Sequence, residues 1–134
     1  MPRAFVFLML MMCSSNASAC KCGNASLDAM YERAASVAYV QVTSAELMPG
    51  EQEDVRVSYK VLEAFKPQAS GKTGIVFEDT SNCSVHMLPG YTYILFIDDR
   101  NRTSRCEGSE MALEISQPAQ KSLARLRAIR DKRK

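Results

Sequence analysis

The sequence has no tryptophan and a single histidine, His86, in 134 residues. One imidazole excludes a zinc site built on paired histidines and leaves a Ser-His-Asp triad only one candidate base. Charge of either sign is not in excess. Seventeen basic and fifteen acidic side chains give +2, so the chain is not a polycation made to coat nucleic acid, and no nucleic-acid partner is expected. Repeats and low-complexity tracts are absent. No apolar run is long enough for a membrane span: Ala4 to Met12 is nine residues, which at about 1.5 Å each cover about half of a bilayer core of about 30 Å. What is present, 46% hydrophobic and 24% charged residues over the length of one domain, excludes a disordered tail, a collagen-like fibre and a coiled-coil rod. This composition favours a binding or inhibitory module over an enzyme.

Residues 1–19 read as a secretory signal. Arg3 supplies the positive start, Ala4 to Met12 the apolar stretch, and Ala17-Ser18-Ala19 a small-x-small cleavage site just before Cys20. The expected location is secreted or periplasmic, with a mature chain of residues 20–134. A second reading makes the segment a lipoprotein signal that acylates Cys20. Ala-Ser-Ala lacks the leading apolar residue of such signals and fits ordinary cleavage better.

Cleavage removes Cys13 and leaves Cys20, Cys22, Cys83 and Cys106, an even number in an exported chain. That implies two disulfides. A Cys20–Cys22 bridge closes too tight a ring, so two pairings remain, each tying the N-terminus to Cys83 and Cys106. Four thiolates also suit zinc, but such sites belong mainly to the reducing cytosol, so neither an intrinsic metal nor a cofactor is expected.

Hydrophobic periodicity predicts a short helix capped by Ser26 and running to about residue 35. Strands follow at 36–47, 54–66, 74–78 and 91–97, with a short one near Cys106, and a helix over about 118–134. Met48-Pro49-Gly50 and Leu88-Pro89-Gly90 read as turns. Val55, Val57, Tyr59 and Val61 share one face of the second strand. Four or five strands are too few for a seven-stranded sandwich, so the expected fold is mainly β: a small barrel with flanking helices.

Several motifs combine along the mature chain: Cys20-Lys21-Cys22 directly after cleavage, Ala64-Phe65-Lys66 ending a strand, Thr80-Ser81-Asn82-Cys83, Gly90-Tyr91-Thr92-Tyr93-Ile94-Leu95-Phe96, and Cys106-Glu107-Gly108. Together they resemble the netrin-like module, in particular the N-terminal domain of the tissue inhibitors of metalloproteinases. The resemblance implies a five-stranded OB-fold-like barrel over residues 20–134 and selects the pairing Cys20–Cys83 and Cys22–Cys106. It also implies inhibition of a zinc metalloprotease, with the α-amine and carbonyl of Cys20 chelating the target's zinc. Lys21 would enter the specificity pocket, and Ser81 and Asn82 would add contacts. An α-amine with a pKa of about 8 loses its proton near neutrality, and a disulfide-braced terminus binds at low entropic cost. The chain departs from the family at Lys21, where the inhibitors carry a small, often hydroxylated residue; a cation there implies an acidic or a deep, wet pocket. It also lacks their third bridge and second domain. The alternative is a netrin-like module that binds protein or glycan and inhibits nothing, since fold alone does not dictate function.

The remaining features read as structural. His86, just after Cys83 and near the start of a strand, reads as a structural or surface residue rather than a ligand. Glu78-Asp79 and Asp98-Asp99 are acid pairs of the kind used in proton transfer, but they sit beside turns, where acids are common. Tyr91, Tyr93 and Phe96 are expected to pack the barrel. Asn24, Asn82 and Asn101 begin glycosylation sequons. Residues 121–134 hold seven basic residues and Asp131, whereas residues 20–120 hold nine basic and fourteen acidic. Leu123, Leu126 and Ile129 fall on one helical face, which predicts a helix docked on the barrel with its cations solvated. Contact of that basic helix with anionic lipid or an acidic partner is the second reading.

Overall fold

A computed structural model describes residues 20–134 except 52, 67, 68 and 70; the expected signal peptide lies outside the described residues. The elements in chain order are helix α1 (Leu27–Arg33), strands β1 (Ser36–Leu47), β2 (Asp54–Ala64), β3 (Thr73–Asp79) and β4 (Thr92–Ile97), a 3-10 turn (Arg105–Glu107), strand β5 (Glu110–Met111) and helix α2 (Gln117–Asp131). The strands form one antiparallel sheet in the order β3-β2-β1-β4-β5. The fold is therefore mainly β, with two helices among the described residues. The sheet is open: no ladder joins β3 to β5 among the described residues. Among the described residues an isolated parallel bridge, Phe77 to Arg102, brings the chain after β4 back to the free edge of β3. It is carried by the Phe77 N–H to Asn101 O at 2.9 Å and the Thr103 N–H to Phe77 O at 3.0 Å.

β1 is the backbone of the sheet because it pairs along both edges. Its register slips between Tyr39 and Val40 and again between Val42 and Ser44 on the β2 side. Such bulges bend and twist a strand. Alternation sorts its side chains: Ala38, Val40 and Val42 join Val57, Tyr59, Val76, Tyr93 and Leu95 in one core, while Val37 faces the helices with Ile94, Phe96 and Phe65. β4 has no polar face because it is covered on both sides, which is why Tyr93 to Ile97 reads as a continuous apolar run. Tyr91, expected in the core, is instead exposed at the Leu88-Pro89-Gly90 turn, one residue before the strand begins.

The short strand expected near Cys106 is β5, which begins four residues later, after the 3-10 turn that holds Cys106 itself. Gly108 at φ +107° turns the chain sharply, and a Cβ there would lie 2.5 Å from the Met30 sulfur. The rest of the β4 edge is completed by side chains. The Phe96 N–H donates to Ser109 Oγ at 2.8 Å, and Thr103 Oγ1 donates to Phe96 O at 2.7 Å. β5 itself covers only Tyr93 and Ile94.

α2 starts one residue earlier than expected, behind Ser116, and ends at Asp131. Leu123, Leu126 and Ile129 are buried against α1 and β4 side chains. Its cations are not simply solvated. Arg125 pairs with Asp28 on α1, Arg127 and Arg130 share Glu63 on β2, and Arg133 pairs with Glu32. Lys66, just after β2, donates to the carbonyls of Ala34 and Glu32, neutralising the carbonyl end of α1. Among the described residues no helix is long and apolar enough to cross a membrane.

Candidate functional site

The four cysteines meet in one cluster outside the strands. Disulfides join Cys20 to Cys83 and Cys22 to Cys106, with Cα separations of 5.1 and 5.0 Å. Of the two pairings that counting leaves open, this is the one the netrin-like resemblance selects. The bridges pack on each other: Cys20 Sγ is 3.6 Å from both Cys22 Sγ and Cys106 Sγ. Beneath them the Arg105 N–H donates to Cys83 O at 2.9 Å, which couples the 3-10 turn to the loop after β3. Residues 20–25 are irregular coil, so the bridges and the Ser26 cap of α1, whose Oγ accepts from the Ala29 N–H at 3.2 Å, define the path of the N-terminal segment. Two disulfides are compatible with an extracellular or periplasmic location.

The loop leading into Cys83 is shaped from both ends. Asp79 Oδ1 accepts from the Ser81 N–H at 3.0 Å and from Ser81 Oγ at 2.6 Å, and the Cys83 N–H donates to Ser81 Oγ at 3.2 Å. Behind the loop, Glu78 is buried, and its two carboxylate oxygens accept from the Val85 and Met87 N–H groups, each at 3.0 Å. The exposed positions 81 and 82 are thus presented next to the Cys20–Cys83 bridge, and Lys21, exposed, lies between the two half-cystines of the N-terminus. Lys21 borders a groove shared with Cys22, Arg33, Cys106 and Glu107. A second, wider cleft runs from Glu53 and Asp54 past Asp79 and Ser81 to Arg100 and Arg102. In it Arg102 makes a two-pronged pair with Asp54, at 2.8 and 3.0 Å, and the hydrogen bond from that guanidinium holds the Asp54 carboxyl below the usual carboxylate range.

Cys20, Lys21, Ser81 and Asn82 are therefore neighbours in the fold although about sixty residues separate the two halves in sequence. Three of the four paired acids, Glu78, Asp79 and Asp98, accept from nearby backbone N–H groups. Glu78 clamps the loop, and Asp98 Oδ1 accepts from the Arg100 and Arg102 N–H groups at 2.9 and 2.8 Å. His86 is an exposed loop residue at φ +57°. Three sulfurs, of Cys20, Cys22 and Cys106, lie within 4.8 Å of one another, but as half-cystines they carry no thiolate for a metal. Sequence reading overlooked the Glu78 clamp. Its signal was strand alternation, since Glu78 shares the inward parity of Val76 on β3. No protein-family model matches this chain, and comparison with curated protein sequences gives no match.

Proposed function

We propose that the protein is exported, that cleavage after Ala19 frees the Cys20 amine, and that it inhibits a zinc metalloprotease by chelating the target's zinc through that amine and the Cys20 carbonyl. The observation that carries the reading is the placement of Cys20-Lys21-Cys22, bridged twice onto the loop that presents Ser81 and Asn82. A terminus braced this way meets a metal with little ordering cost. Zinc binds nitrogen and oxygen donors, and a neutral amine with a carbonyl offers one of each. In this reading the sheet is the wall of an OB-fold-like barrel, supported by the Phe77–Arg102 bridge across its open side. Lys21, exposed and cationic, directs the inhibitor to proteases whose specificity pocket holds a carboxylate, because a lysine buried without a partner is costly.

The test is an inhibition assay on a panel of zinc proteases with the mature protein and a form carrying one alanine before Cys20. The extension moves the amine and puts an amide at the metal, while both bridges persist. The expected outcome is loss of inhibition with unchanged stability, and weaker inhibition by the unextended protein at acid pH, where an amine of pKa about 8 is protonated. Equal potency of the two forms rules out chelation. Absence of inhibition across the panel assigns the chain to the netrin-like protein- or glycan-binding class instead.

A further inference from the structure

We infer that the reduced protein holds one zinc ion in a tetrathiolate site made of Cys20, Cys22, Cys83 and Cys106. The inference does not depend on inhibition of any protease. It rests on the convergence of the sulfurs: Cys20 Sγ stands 3.6 Å from Cys22 Sγ and from Cys106 Sγ, and the three lie within 4.8 Å of one another. Cys83 is bonded to Cys20 but lies outside that three-sulfur cluster, and it swings in as the fourth ligand when its bridge opens. Zinc–sulfur bonds of about 2.3 Å in a tetrahedron put neighbouring sulfurs about 3.8 Å apart, so the Cys20–Cys22 and Cys20–Cys106 contacts already match two of the six edges of such a site. Side-chain rotation supplies the rest once the bridges open.

Without the disulfides the backbone still holds the Cys83 and Cys106 segments together, and the metal itself gathers the Cys20-Lys21-Cys22 coil onto them. The Arg105 N–H to Cys83 O bond holds Cys83 beside the turn that carries Cys106, and Cys-x-Cys brings the other pair from the coil ahead of α1. The groove at Cys22 and Cys106 is bordered by Lys21 and Arg33 against Glu107, so local charge is positive where a tetrathiolate zinc centre carries two negative charges. The chemistry balances. Two equivalents of a dithiol reductant give two cyclic disulfides and four protein thiols. The four thiols then release four protons as they bind one Zn²⁺. Reoxidation by two equivalents of a disulfide oxidant removes four electrons, restores both bridges and frees the zinc. Zinc thus staples the N-terminus of the reduced chain before oxidation replaces it with covalent bonds.

The experiment uses the purified exported protein, reduced anaerobically with a phosphine and titrated with Co²⁺ as a coloured substitute for zinc. The expected result is the intense visible absorption of tetrahedral cobalt thiolate, saturating at one equivalent, displaced by zinc and absent from the oxidised protein. Zinc also raises the thermal midpoint of the reduced protein and leaves that of the oxidised protein unchanged. Replacing both Cys83 and Cys106 with serine weakens cobalt binding by more than about tenfold, the loss seen even for partners one shell further out. Absence of the tetrahedral spectrum overturns the proposal. So does a spectrum that the double variant retains at equal affinity, or metal binding that leaves the reduced protein's melting unchanged, which would place the metal on an unfolded chain.

Discussion

Glu78 shows how much one buried carboxylate can position. Its two oxygens serve two backbone N–H groups, of Val85 and Met87, that have no strand partner because the loop after β3 runs across the sheet's inner face rather than along it. Glu78→Ala leaves both donors buried and unpaired, at about 1–3 kcal/mol for each. Glu78→Gln keeps one acceptor and costs about half as much in total. Urea unfolding of the two variants should rank them in that order, and amide exchange at Val85 and Met87 should accelerate in both. The pairing of Glu78 with Asp79 in sequence suggested proton chemistry, whereas period-two alternation already aimed Glu78 inward and Asp79 outward. The bridged cysteines were legible as a set from their even count. That Ser81 turns back on Asp79 was not, because an Asx-type turn depends on backbone angles that many sequences allow.

At the scale of elements, the long strands and both helices follow from periodicity, and the failures lie where side chains replace a ladder. The short strand near Cys106 forms as β5, but it stops short of Phe96, which Ser109 and Thr103 satisfy instead, and hydroxyls carry no periodic signal. α2 docks through Leu126, which is fully buried, and Leu126→Ala is expected to cost about 2–5 kcal/mol in thermal or urea unfolding. The ion pairs around that helix contribute less. Hydrogen bonds from Arg127 first, and then Arg130, outweigh partial desolvation and hold the Glu63 carboxyl below its ordinary value. A carboxyl depressed on folding adds stability above its unfolded pKa of about 4.3 and loses it as pH falls through the folded value. Urea midpoints should therefore decline below about pH 4, and Glu63→Gln should flatten that decline while costing about 0.5–1 kcal/mol at neutrality, as expected for a solvent-screened pair.

For the whole molecule, the segregation of charge along the chain is undone in space. Four of the seven cations of residues 121–134, Arg125, Arg127, Arg130 and Arg133, lie on acids of α1 and β2. The bridges have a mechanical consequence. Tension applied between Cys20 and Lys134 passes from Cys22 straight to Cys106 through a covalent bond and never loads the β1–β4 part of the sheet. Only the chain beyond Cys106, about 28 residues carrying β5 and α2, can pay out, which at about 3.5 Å each is an extension of about 100 Å. Pulling the oxidised protein in an optical trap should give one short, low-force release of that length and then a stiff, inextensible body. Adding a reductant under load should let the remaining strands yield in a second, longer step.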